Sequence, residues 1–351
     1  MSLTMSRSRS TVQPVAHEDW VDVMRVLAIV LVVVVHVVNP DKLFVTLPVG
    51  SVGWLETDLV AVGTRWALPI FVMISGYLLL DPRKHYDWNT YFQRRLHRIA
   101  WPLVAWTILY LGLRIWYDHM AGRPVDGAGM LGSVIKGAPH YHLWYLYMLP
   151  GLYVACPFIK LATDQMSRGQ LIAAVAFCFA TGVISSSVDA LYSVPNVTYI
   201  DDFPRYLGYF LAGHLLGRVL PVPKLLPTIA VLVTACLVQA VMAYVVAQTA
   251  SPARALRLLG FANPAIIVMS LAAFAILRRV RVAPSWRVWL AAAGGLSFGI
   301  YLVHPAVLDL AESWIVPNTP PAFVSVVILG LVFSGSIVLG MQHLPVLRRC
   351  V

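Results

Sequence analysis

Charge is scarce in this chain. Only 12% of its 351 residues are Asp, Glu, Lys or Arg, against 59% hydrophobic residues and a mean hydropathy of +0.75, a balance that excludes an ordinary soluble globular domain. Acidic groups are rarer still, 16 against 26 basic ones. Cysteine is limited to Cys156, Cys178, Cys236 and Cys350. None lies in a CxxC pair or at metal-ligand spacing with His, so neither a disulfide framework nor a bound metal is expected. A cleavable leader is not expected either, because residues 1–16 are polar and rich in Ser and Arg, and the apolar run that follows is too long for a signal core. Long loops are missing. The longest connection, 118–141, carries Gly122, Gly127, Gly129, Gly132 and Gly137 with Pro124 and Pro139 and is expected to form a lid or surface loop. Internal repeats of the kind many secondary transporters carry are also absent, which counts against transport.

Apolar runs fill the rest. Ten stretches approach membrane-spanning length: 21–39, 58–80, 96–117, 142–159, 171–188, 203–220, 225–247, 263–277, 288–310 and 322–343. The expectation is an all-α polytopic membrane bundle of about ten helices. Residues 1–18 would form a disordered tail, 19–345 a single transmembrane domain and 346–351 a short second tail. A net charge of +10 resembles a nucleic-acid signal until it is mapped onto the loops. Alternate connections hold seventeen of the 26 basic residues, while the opposite set holds only Lys42, Arg123, Lys136, Arg254 and Arg257. By the positive-inside rule both termini are then cytoplasmic, and the partner is a bilayer rather than nucleic acid. The expected location is a membrane that the chain crosses many times.

The first run carries a polar seam. Asp22, Arg25, His36 and Asn39 punctuate a segment otherwise dominated by Val, Ile and Leu. Eleven helical steps bring Arg25 and His36 to within roughly 20° of one face and about 16 Å apart along the axis. Ionisable groups at membrane depth are costly and mark functional interiors by default. His36 falls toward the outer face and Arg25 toward the cytoplasm. Imidazole is the side chain poised to act as a base near neutral pH, and Glu56, Asp58 and Asp202 are the outer-side carboxylates available to orient it. A second cluster, Arg94, Arg95 and Arg98, sits at the cytoplasmic start of the third run, where guanidinium groups can grip phosphates.

Five segments in order resemble the membrane-bound acyltransferase-3 family. They are Asp22-Val23-Met24-Arg25 with His36, Pro69-Ile70-Phe71-Val72-Met73-Ile74-Ser75-Gly76-Tyr77-Leu78, Arg95-Leu96-His97-Arg98, His142-Leu143-Trp144-Tyr145-Leu146, and Ser297-Phe298-Gly299-Ile300-Tyr301-Leu302-Val303-His304. Tyr141-His142-Leu143-Trp144 and Phe203-Pro204-Arg205-Tyr206-Leu207-Gly208-Tyr209 further resemble the clade containing the O-acetyltransferase of enterobacterial common antigen. One departure is Ile70, where an aromatic residue or leucine is common.

The resemblance implies transfer of an acyl group, most simply acetyl, from acyl-CoA as co-substrate to a hydroxyl of a cell-surface or lipid-linked carbohydrate, with no permanently bound cofactor. His36, Arg25 and Asp22 would be catalytic, and Arg94, Arg95 and Arg98 would hold the donor. Arg65, Ser75, His142, Trp144, Tyr301 and His304 would line the acceptor cavity. Ser75 has no GxSxG setting and is not expected to be a nucleophile, and Gly76 is expected to serve helix packing. The competing reading is a proton-coupled transporter or flippase of a lipid-linked sugar, in which Asp22, Arg25 and His36 would relay protons.

Overall fold

Twenty residues without glycine or proline make the first helix, α1 (Asp19–Val38), which ends where Asn39 turns left-handed at φ 50° and Pro40 opens a new helix. The computed structural model describes residues 18–192, 203–315 and 319–351, apart from the side chains of Leu96 and residues 189–192. Of the expected disordered tail, 1–18, residues 1–17 lie outside the described residues, as does Asp202, while Glu18 is described and pairs with Arg218. After α1 the chain forms α2 (Pro40–Thr46), α3 (Val52–Thr64), α4 (Ala67–Leu79), α5 (Trp88–Met120), α6 (Gly127–Lys136) and α7 (Trp144–Thr163). It continues through α8 (Arg168–Tyr192), α9 (Phe203–His214), α10 (Leu225–Thr249), α11 (Pro252–Arg257), α12 (Pro264–Leu277), α13 (Pro284–Glu312) and α14 (Pro320–His343). No strand occurs among the described residues.

Eight segments are long and apolar enough to cross a membrane. The other two of the ten expected runs form short helices: α9, extended by a π-helical turn at Leu215–Val219, and the 14-residue α12. Pro264 begins α12 rather than interrupting a longer span. The ninth run starts earlier than its hydropathy indicates, at Pro284, because Gly294 and Gly295 stay helical inside α13. The connection 118–141 is not an irregular loop. It contains α6, whose first turn is capped by Asp126 accepting from the Gly129 amide at 2.9 Å, so local capping outweighs glycine content. Asn39, placed on the polar seam by its spacing, is instead the exposed cap of α1.

Close backbone approach holds the centre. A Cβ on Gly76 of α4 would stand 1.8 Å from the Phe210 carbonyl oxygen of α9, and one on Gly213 of α9 would stand 1.9 Å from the Met73 carbonyl oxygen of α4. Each glycine lies over the carbonyl three residues before the other, a small-residue crossing of the kind apolar helices use to associate. Ile70, the departure from the family pattern, is fully buried on α4 beside this crossing.

Ion pairs tie one end of the bundle together. Arg218, in the π turn, contacts Glu18 and buried Asp81, each at 3.1 Å, and its guanidinium lies 3.9 Å from the centroid of the Tyr77 ring. Arg83 also binds Asp81, and Arg287 binds Asp19 at 2.7 Å. The irregular turn leaves carbonyls of Leu216 and Leu220 to be satisfied by Arg278. Basic residues that sequence alone reads as topology signals therefore have specific partners. The last residues also pack inward, the Trp106 indole donating to the Cys350 carbonyl at 2.8 Å.

Gly76→Ala is expected to destabilise the protein by roughly 1–3 kcal/mol or more, because the added methyl meets backbone rather than a movable side chain. Gly112→Ala, with nothing within 4 Å of the new methyl, should be close to neutral. Thermal unfolding in detergent micelles checks this, and equal shifts for the two would contradict the crossing.

Candidate active site

Helices α1 and α13 place the seam. A Cβ on Gly294 would sit 3.1 Å from Asp22 Oδ1, and fourteen residues further along α1 the ring of His36 stacks on that of His304 at 5.2 Å. Two contacts in the same order show that the helices run in the same direction. At the first contact Arg25 pairs with Asp22 at 3.1 Å. At the second, His36 also meets Tyr141 at 4.9 Å between ring centroids.

Four imidazoles gather here, of which sequence reading had singled out three. His304 is fully buried, with Nδ1 3.0 Å from the Ile300 carbonyl. A carbonyl only accepts, so Nδ1 carries the proton and Nε2 remains an acceptor, buried and without a protein partner. His142 Nδ1 lies 2.9 Å from Nδ1 of His140, and the His142 carbonyl accepts from the Tyr301 hydroxyl. His140, on the connection before α7, is held by burial at a pKa of about 4, so it is neutral at physiological pH. Despite this density, no group of three or more His, Cys, Asp or Glu side chains among the described residues is arranged to hold a metal ion.

Neither Glu56 nor Asp58 contacts His36. Asp58 is buried on α3 with Oδ1 unpartnered, and the ring packed on His36 is His304 rather than a carboxylate-bearing side chain. Asp202 lies outside the described residues.

Two cavities flank the seam. The first, about 350 Å³, is lined by His36, Arg65, His142, Trp144, Arg205 and Tyr301 among others. Trp144, Tyr206 and Phe261 form an aromatic wall with centroid separations of 5.6 to 6.1 Å. Arg65 lies 5.3 Å over Phe261 and its Nε donates to the Leu259 carbonyl at 2.6 Å. The second cavity, about 210 Å³, is lined by Arg25, Ser75, Arg95, Arg98, Tyr145 and Tyr153, with Gly294 and Gly295 on one side. Leu68 and Tyr301 line both.

The structure therefore gathers Arg25, Ser75, Arg95 and Arg98 at one cavity and His36, Arg65, His142 and Trp144 at the other. Tyr301 stands between them, and His304 lies behind His36. Arg94 is exposed and lines neither cavity, since on a helix it points away from the face shared by Arg95 and Arg98. Ser75 Oγ donates to the Phe71 carbonyl at 2.9 Å, a helical back-bond. Sequence reading missed His140, Arg205, Tyr206 and Phe261 as site residues. Arg205 and Tyr206 stood within a quoted motif, whereas Phe261 carries no signal beyond its position in the Gly260 to Pro264 connection.

Comparison with known families gives one match over nearly the whole chain: the family model Acyl_transf_3, an acyltransferase domain, covers residues 18–339. Neither the curated proteins nor the solved structures searched contain a match. With membrane-grade helices and a continuous match of this length, the chain belongs to the acyltransferase-3 family of membrane acyltransferases.

Proposed function

We propose that the protein transfers an acetyl group from cytoplasmic acetyl-CoA to a hydroxyl of a cell-surface or lipid-linked carbohydrate at the outer side of a bacterial inner membrane, as in the clade of the enterobacterial common antigen O-acetyltransferase. The observation that carries this reading is the shared wall. A cavity with three arginines at or near its mouth and a cavity containing His36 both reach Tyr301 and Leu68. Phosphates of the donor fit the Arg95 and Arg98 end by charge and fork geometry. From there the narrow cavity past Ser75 leads toward His36, a distance of about 16 Å by helical rise between Arg25 and His36. That length suits an extended phosphopantetheine arm. A flippase needs no arginine cluster at the cavity, and the family match stands against it.

The chemistry follows from the residues. His36 removes the proton from the acceptor hydroxyl as its oxygen attacks the thioester carbonyl. The new C–O bond forms, the C–S bond breaks, and the proton passes from His36 to the departing thiolate, which leaves as CoA thiol. His304 holds the His36 ring by stacking and is itself oriented by the Ile300 carbonyl. Arg25, neutralised by Asp22, lines the donor passage without presenting an uncompensated charge to it. The Tyr301 hydroxyl is anchored on the His142 carbonyl, so the side chain at which the two cavities meet has a fixed position. Direct transfer needs no covalent intermediate, and Ser75 is occupied by its helical back-bond.

His36→Ala is expected to lower acetyl transfer by about 10²–10⁴-fold while leaving the thermal stabilisation by CoA intact. Normal polysaccharide acetylation in cells expressing the variant at wild-type level would sink the base assignment. For the donor, Arg95→Gln and Arg98→Gln should each reduce the CoA-induced rise in Tm of the purified protein, whereas Arg94→Gln should leave it near the wild-type value. A uniform response of all three would mean that only general positive charge is being sensed. Radiolabelled acetyl-CoA incubated without acceptor should leave no label on the protein, and a stable acetyl adduct would replace direct transfer by a relay.

A further inference from the structure

Arg65 sits in an unusual electrostatic position. It is half-buried at the junction of α3 and α4, its Nε is taken by the Leu259 carbonyl, and its guanidinium is stacked near Phe261. No ion pair with a carboxylate is formed by Arg65 among the described residues, and the two Nη groups have no protein acceptor there. A partly desolvated guanidinium that no carboxylate contacts, and on which Asp41 acts only through space, is costly in an apolar bundle. Its free edge belongs to the 350 Å³ cavity that contains His36. Arg205 lines the same cavity and donates to Ser185 Oγ at 3.1 Å. The carboxylate on the cavity wall, Asp41, is exposed and lies beyond ion-pair distance of Arg65.

Resting on the acyl-transfer reading above, we propose that the acceptor is an anionic carbohydrate: a sugar unit bearing a carboxylate or a phosphate, whose oxygens bind the Nη edge of Arg65 while the ring stacks on the Trp144, Tyr206 and Phe261 wall. A planar guanidinium with its Nε already anchored presents two parallel N–H groups, the geometry that matches two oxygens of a carboxylate or phosphate. Aromatic faces supply contact area for the less polar face of a pyranose ring and hold it without charge selectivity. The two elements divide the work. The wall accepts a sugar, and Arg65 selects a charged one. In the same cavity the His36 ring would meet a hydroxyl of that sugar, so the anion would set which hydroxyl is presented.

The test uses the full-length protein in nanodiscs, with binding followed by intrinsic tryptophan fluorescence and by calorimetry. Three probes separate charge from shape: methyl glucuronide, glucose 1-phosphate and methyl glucoside. At least one anionic probe is expected to bind tenfold or more tightly than methyl glucoside, with the preference weakening as salt is raised. Preference for glucuronide alone identifies a uronate acceptor, and preference for glucose 1-phosphate alone identifies a phosphate-linked one. Arg65→Gln should remove the preference and Arg65→Lys should retain part of it. His36→Ala should keep the ratio of anionic to neutral probe affinity while losing acyl transfer, which separates a failure of this proposal from a failure of the acyl-transfer reading. Equal binding of all three probes to the wild-type protein overturns the proposal without recourse to any variant. So does an unchanged preference in a folded Arg65→Gln protein, and a role for Arg65 confined to the transition state predicts that equality.

Discussion

The packing of α13 along α1 is the constraint on which the site depends. Helix α1 offers a carboxylate, a guanidinium and an imidazole from an otherwise apolar rod, and an apolar environment tolerates such groups only where neighbours compensate them. Helix α13 supplies the compensation at both ends. Gly294 leaves room beside Asp22, which neutralises Arg25, and His304 provides a ring for His36. A larger residue at position 294 would crowd Asp22 directly and loosen the register that aligns His304 with His36.

The same helix also divides the interior. Tyr301 lies one turn before His304, so the residue that lines both cavities and the residue stacked on His36 are held by one stretch of α13. Its hydroxyl ties that stretch to the carbonyl of His142, linking α13 to the segment that leads into α7. The two cavities and His36 are therefore coupled through few covalent steps. The α4 and α9 crossing, with backbone against backbone at Gly76 and Gly213, keeps the helix that carries Ser75 and Leu68 close to the centre without a large side chain at the contact.

Much of this was legible in the chain before folding. The scarcity of charge and the apolar runs define a membrane helix bundle, and the eleven-residue interval defines a shared face for Arg25 and His36, because helical periodicity is a local property. Where runs were shorter than a bilayer, as in α9 and α12, hydropathy located the helix but not its length. Glycine content misrepresented 118–141, since a single Asp126 cap was enough to start α6. Acid–base chemistry predicts a carboxylate beside His36; among the described residues the ring packed there is His304, and Asp202 lies outside them. Helix α3 directs Asp58 into its own surroundings, and nothing in the spacing of Glu56 or Asp58 could reveal that.

By itself the sequence determined the class of protein, the helical faces and most of the ionisable groups that matter, all of which follow from composition and from periods of a few residues. Tertiary structure alone decided which of those groups meet. It set Arg94 apart from Arg95 and Arg98, brought His140 and Phe261 to the cavity region, and placed Tyr301 in the lining of both cavities. These outcomes depend on helix rotation and on contacts between residues far apart in the chain, such as Arg65 with Leu259 and His142 with Tyr301. Local sequence carries no information about such pairings, because they are set by how small residues let particular helices approach.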